Sequence, residues 1–154
     1  MKLTQLLMLI LLCAVPAFAI SEKPVKMTEL PPAVQKAIQA QVASTGATIK
    51  KTSVEVENGK TNYECESVLP SGKKQDFDVS PAGKLGEVEN EISLAAVPKP
   101  VKASVEKATV GGGTIKELVS ITVDGKIVGY EASITRNGKT TGYEMNPDGT
   151  PKKD

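Results

Sequence analysis

Asn58-Gly59-Lys60-Thr61-Asn62-Tyr63-Glu64-Cys65-Glu66 and Asp124-Gly125-Lys126-Ile127-Val128-Gly129-Tyr130-Glu131-Ala132 are two versions of one instruction. Asn-Gly and Asp-Gly are the dipeptides that tolerate positive φ at both central positions of a tight hairpin turn. Each is followed by a run with strand character. In the first, strict alternation sets Tyr63 and Cys65 on one face and Glu64 and Glu66 on the other. Outward from these runs the chain keeps matching itself at an offset of 66 to 67 residues. Leu30-Pro31 aligns with Val97-Pro98, Val34 with Val101, Ile38 with Val105 and Gly46 with Gly113. Phe77 aligns with Tyr143, Pro81 with Pro147 and Gly83 with Gly149, after slips of one residue. Self-similarity at such a period marks a repeated supersecondary unit.

Each unit opens with a helical stripe. Leu30, Val34, Ala37, Ile38 and Val42 line one face of about three turns, and Val97, Val101, Val105 and Ala108 repeat it. Prolines 31, 32, 98 and 100 fit only a first turn, and Gly111-Gly112-Gly113 stops the second helix. Ser93 is a candidate N-cap for an earlier start, although Pro100 disfavours helical geometry at Lys99. A meander follows each helix. Strands are predicted at 48–57, 61–69, 74–80 and 84–92, then at 115–123, 127–135 and 139–145. A counterpart of the fourth strand, after Asp148-Gly149, is cut short at Asp154.

The predicted fold class is therefore α+β, a tandem repeat of one helix and a three- or four-stranded antiparallel meander, forming one sheet with helices on one face. Residues 20–29 precede the first repeat, 30–92 form it, and 93–154 form the second. A unit of about 65 residues buries little by itself, so the two are expected to join edge to edge and share a core.

The runs 30–38, 58–66 and Asp76-Phe77-Asp78-Val79-Ser80-Pro81-Ala82-Gly83-Lys84-Leu85 resemble the PepSY-like family of secreted bacterial proteins, related in fold to the β-lactamase inhibitory protein. The likeness covers about residues 30 to 150. Its motifs are structural: a proline before a helix, a turn glycine, an aromatic strand. The second repeat departs from it at Lys99-Pro100. The resemblance implies a non-catalytic binding protein and an inhibitor or regulator of an envelope or extracellular hydrolase.

Residues 1–19 read as a secretory signal peptide. Lys2 precedes the apolar run 6–15, then come Pro16 and the small-x-small triplet Ala17-Phe18-Ala19. Cleavage after Ala19 predicts a secreted or periplasmic protein beginning at Ile20, without stable membrane insertion, because the run is too short to span a bilayer. Cleavage before a lipidated Cys13 competes with this, but Leu12 stands where a small side chain is wanted. Loss of Cys13 leaves Cys65 alone, to be a small buried side chain or an intermolecular thiol.

With 154 residues, no histidine, two cysteines and a net charge of +1, the chain excludes imidazole catalysis, Ser-His-Asp triads and His- or Cys-rich metal centres. An even charge balance gives no reason to expect nucleic acid as a partner. Ser71-to-Lys74 and Ser104-to-Lys107 match the Ser-x-x-Lys spacing of serine acyltransferases, without the companion Ser-Asp-Asn. The Gly-Lys pairs are turn glycines, because the upstream glycine of a phosphate loop is replaced by Val54 and Ser133. No catalytic residue, cofactor or metal ligand is predicted. The expected partner is another extracytoplasmic protein, met by the open sheet face and by hairpin tips at Asn58, Lys60, Asn137 and Lys139. The alternative is a small-ligand or metal-ion-binding envelope protein using Glu64, Glu66, Glu87, Glu89 and Glu91, if their strands pair. Against that alternative stands a solvated face neutralised by lysines on neighbouring strands.

Overall fold

A computed structural model describes residues 21–57 and 59–152. The predicted signal peptide 1–19 with Cys13, the predicted first mature residue Ile20 and the turn residue Asn58 lie outside the described residues. The elements are β1 (Ser21–Pro24), a 3-10 turn (Met27–Glu29), α1 (Pro32–Thr45), β2 (Thr48–Glu57), β3 (Lys60–Val68), β4 (Lys74–Val79), β5 (Leu85–Glu91), α2 (Lys99–Thr109), β6 (Thr114–Val123), β7 (Lys126–Arg136) and β8 (Lys139–Met145). The strands form one antiparallel sheet in sequence order, β1 to β8, with both helices on one face. This is the predicted tandem of helix and meander. β1 is an addition to it: Ser21–Pro24 has no alternation of its own, and is made a strand by pairing with Ser53–Val56.

Local chemistry explains the boundaries. Asp124 and Gly125 hold φ of 48° and 75°, and Asn137 and Gly138 hold 51° and 78°, so both hairpins turn through two left-handed residues. Helix α1 has Pro32 in its first turn and ends on Gly46 at φ 70°. Helix α2 starts at Lys99, with Pro98 before it and Pro100 in its first turn, and Ser93 does not cap it. Ser93 instead accepts the Ala96 N–H at 2.9 Å in a preceding turn. Proline in a first helical turn removes only an N–H that has no intrahelical acceptor, so Lys99-Pro100 is tolerated there. The far end of α2 is closed by Arg136, whose Nη2 donates to the carbonyls of Ala108 (2.7 Å) and Val110 (2.8 Å).

The repeat extends to its irregularities. Register shifts fall at Lys50, between Ile49 and Lys51, and at Lys116, between Ile115 and Glu117. Gly83 and Gly149, both at positive φ, bring their turns against the first turns of α1 and α2. A Cβ at Gly83 would lie 2.7 Å from the Ala33 carbonyl oxygen, and one at Gly149 would lie 2.6 Å from that of Pro100. Ser104 Oγ donates to the Gly149 carbonyl at 2.6 Å, tying the same turn to α2.

Val34, Ile38, Val101 and Val105 are fully buried against the sheet. They belong to two clusters. One gathers Leu30, Val34, Ile38, Cys65, Phe77, Val79 and Val88; the other gathers Val97, Val101, Val105, Leu118, Tyr130, Ala132, Ile134 and Met145. The sheet is continuous through β5 and β6, but the expected shared core is divided. On the helix side the junction carries Gln75, Asn90 and Ser120 in adjacent register, and Gln75 Nε2 donates to Asn90 Oδ1 at 2.7 Å. Polar side chains that satisfy one another interrupt the apolar layer there.

Candidate functional site

Among the described residues, no helix lies over the other face of the sheet. Register and alternation place on it Glu22 of β1, Glu55 of β2, Glu64 and Glu66 of β3, Asp76 and Asp78 of β4, and Glu87, Glu89 and Glu91 of β5. Glu117, Glu131 and Glu144 follow from β6 to β8. Twelve of the chain's 18 acidic side chains thus share one surface. β3 and β5 do not pair, as the acidic-patch reading required. β4 lies between them and fills the gap with more acid, giving the direct row Glu66, Asp76, Glu89 across three strands.

Among the described residues, three lysines reach acids of this face. Lys51 bridges Glu22 (2.6 Å) and Glu66 (2.9 Å), Lys74 reaches Glu117 (2.9 Å), and Lys152 reaches Glu144 (2.9 Å). The expected neutralisation by lysines on neighbouring strands forms at Lys51, which serves β1 and β3, and does not extend along the row Asp76–Glu89 among the described residues. Most lysines sit on helices, bulges, turns and strand ends. Two of the acids accept backbone N–H groups: Glu91 Oε2 takes that of Lys74 at 3.0 Å, and Asp78 serves within the sheet. Asp78 Oδ1 accepts the Glu87 N–H at 2.6 Å at a bulge in β5, where Gly86 leaves room for the carboxylate.

The uncompensated carboxyls hold their protons more tightly than usual. Burial, then the carboxylates of Glu131, Asp76, Glu87 and Glu117, push Glu89 up to about 7. Burial leads again at Glu64, Asp76 and Glu131, which are all raised, with neighbouring acids adding to it. Glu22 goes the other way, lowered by its hydrogen bond from Lys51. Between the raised groups lies an open hollow of about 420 Å³ lined by Glu55, Asn62, Glu64, Asp76, Glu87 and Glu89. Ile121, paired with Glu89 and Gly129, is only 3% exposed, and Val119, between Glu91 and Glu131, only 8%. Both lie on this face with glutamates in direct register beside them.

The carboxylates run in rows and do not converge. Among the described residues, no three His, Cys, Asp or Glu side chains are grouped as metal ligands would be. Cys65 is a buried free thiol, pushed up to about 12 by burial first and then by Asp76, Glu64 and Glu66. Ser104 Oγ–H donates its hydrogen bond to the Gly149 carbonyl, and Ser71 lies in the β3–β4 turn.

The predicted tips are not gathered into one place. Lys60 opens β3 beside the turn at Gly59, whereas Asn137 and Lys139 lie at the β7–β8 turn. In an antiparallel sheet of this order those turns are at opposite ends, and with four strand spacings between β3 and β7 the tips are on the order of 30 Å apart. All three described residues are exposed. The larger feature, the acidic face, is only half visible in the sequence. Asp76 and Asp78 alternate with Phe77 as Glu64 and Glu66 do with Cys65, and that period is the signal available for it.

No family model matches the chain, and no curated protein matches it. Solved structures share its architecture at low identity. A protein from Bacteroides eggerthii described as periplasmic is 13% identical, with 79% of this chain and 85% of that one covered and a TM-score of 0.61. A BLIP-like protein from Bacteroides fragilis is 15% identical (80% and 84% covered, TM-score 0.57). A DUF2874 family protein from Bacteroides ovatus is 11% identical (80% and 85% covered, TM-score 0.59). The likeness is one of fold.

Proposed function

We infer that the chain is an exported, non-catalytic, PepSY-like protein-binding module that offers its acidic open face to a basic extracytoplasmic partner. One observation carries the reading: Glu66, Asp76 and Glu89 stand directly opposite one another across β3, β4 and β5. Like charges in direct cross-strand register destabilise a sheet. A fold that keeps them on the face its described helices leave uncovered gives up stability at the place where a partner would return it. The signal-peptide pattern of residues 1–19 and the periplasmic description of the B. eggerthii structure support the compartment. The BLIP-like likeness suggests a hydrolase as the class of partner. Lys60 and Lys139, with Asn58 and Asn137, belong on this reading to the rim of the footprint, since one partner must cover most of the sheet to touch both ends.

The test is affinity capture from cell-envelope extract, using a chain that starts at Ile20, at low and high salt. Wild type is expected to retain one specific basic protein, with retention falling as salt rises. Paired reversal Glu64→Lys and Asp76→Lys should abolish capture, whereas Lys60→Ala with Lys139→Ala, which trims rim contacts without adding acid, should change it far less. Retrieval of no specific protein at micromolar bait, or retrieval indifferent to the face reversal, overturns the reading.

A further inference from the structure

Strand β8 has β7 on one side. On its other side, among the described residues, stand only Pro151, which pairs with Met145, and Lys152, whose N–H donates to the Glu144 carbonyl at 3.0 Å. This start repeats the first unit, where Leu85 pairs with Val79 and β5 then runs on along β4 through Val88–Phe77, Glu89–Asp76 and Asn90–Gln75. Along Lys139–Tyr143 no such continuation is present among the described residues. The Glu144 carbonyl points outward, so alternation aims the N–H and C=O groups of Thr140 and Gly142 outward too. They form an open stretch of ladder.

Both faces of that edge are also incomplete. Phe77, covered by Val88, is 2% exposed, whereas its counterpart Tyr143 is only partly buried against the second cluster. On the acidic face a hollow of about 320 Å³ lies at the same edge, lined by Glu131, Gly142, Glu144, Pro151 and Lys152. Gly142 has no side chain to fill it, and the Glu131 carboxylate leans into the space, 2.9 Å from where a Cβ would be. Lys152 is engaged with Glu144, and no cation reaches Glu131 within ion-pair distance among the described residues.

We propose that β8 is a strand-accepting edge whose occupant is an extended segment of the basic partner, antiparallel to β8, with an apolar side chain opposite Tyr143 and a lysine or arginine opposite Gly142. The first unit supplies the register. Val88 opposite Phe77 is the model for the apolar position, and Glu89 opposite Asp76 marks the position that faces the acidic side. A basic side chain there meets Glu131. Main-chain ladder bonds would give the affinity and the two side chains the selectivity. The proposal rests on the basic-partner reading above and adds where, and in what conformation, that partner begins.

The probe is the capped peptide Val-Lys-Thr-Lys-Thr-Lys, with a second copy of equal charge that is N-methylated at its three lysines, whose N–H groups face β8 in this register, and cannot pair with that edge. At saturating peptide, amide exchange at Thr140 and Gly142 should slow about tenfold or more, and the methylated copy should bind at least about tenfold more weakly. Glu131→Gln should weaken the unmodified peptide by about tenfold. Thr140→Pro should abolish the protection while leaving the melting temperature near wild type, because the N–H it removes is not in the β7 ladder. Equal binding of both peptides, without protection at Thr140 and Gly142, would overturn the edge proposal and leave the acidic-face reading standing. Failure of both peptides to bind would count against both. Protection that grows with protein concentration in the absence of peptide would assign the edge to a second copy and overturn the partner assignment.

Discussion

At Gly83 and Gly149 the repeat is visible in single atoms. Both carry positive φ and both would press a Cβ onto the backbone of a helix's first turn, while Gly125 holds positive φ in open space. Gly125→Ala should therefore cost about 1 kcal/mol, the ordinary penalty of a left-handed residue. Gly83→Ala and Gly149→Ala add backbone overlap and should cost about 2–4 kcal/mol in urea titrations. Glu89 makes a different prediction. Its folded-state pKa, about 7, lies above the ordinary value of 4.5, so between those values the native chain binds more protons than the unfolded one. Stability contributed by this group then falls as pH rises through that window. Glu89→Gln should melt above wild type at about pH 8, and the difference should vanish by about pH 4. Sequence alone disclosed the glycines, because turn dipeptides carry their own conformational demand. It did not disclose Arg136, whose work on the carbonyls of Ala108 and Val110 depends on β7 ending beside α2.

Among the elements, the two helices repeat each other closely and the strands between them do not quite. The apolar stripes were legible because Val34, Ile38, Val101 and Val105 keep helical spacing in the chain. The division of the core was not, because Gln75, Asn90 and Ser120 become neighbours only through strand register. β1 is not legible in the sequence for a related reason, since four residues without alternation acquire their form from β2. A divided core has a measurable consequence. Ile38→Ala and Leu118→Ala, one in each cluster, should each cost about 2–5 kcal/mol. Together they should add to within about 0.5 kcal/mol, as independent sites do. Hydrogen exchange should rise chiefly in β2–β4 for the first variant and in β6–β8 for the second. A coupling well beyond that margin would mean that the polar junction transmits packing between the units.

Across the whole molecule, an even balance of charges conceals a strongly uneven placement. The sequence showed the alternation within Glu64–Glu66 and Glu87–Glu91, but the sum over eight strands needed their order and register. The net charge is +1, yet the open face holds most of the acid and the helix side and strand ends most of the lysine. At about pH 7 the folded protein should be retained by a positively charged resin although its net charge gives no reason for it. Replacing Glu64, Glu66 and Glu89 by glutamine should shift its elution to lower salt. Such a molecule is a permanent electric dipole with almost no monopole. A uniform field would hardly move it but would turn it. Beside an anionic surface that torque brings the helix side inward and leaves the carboxylate rows facing the medium, so the protein is aimed before it touches anything.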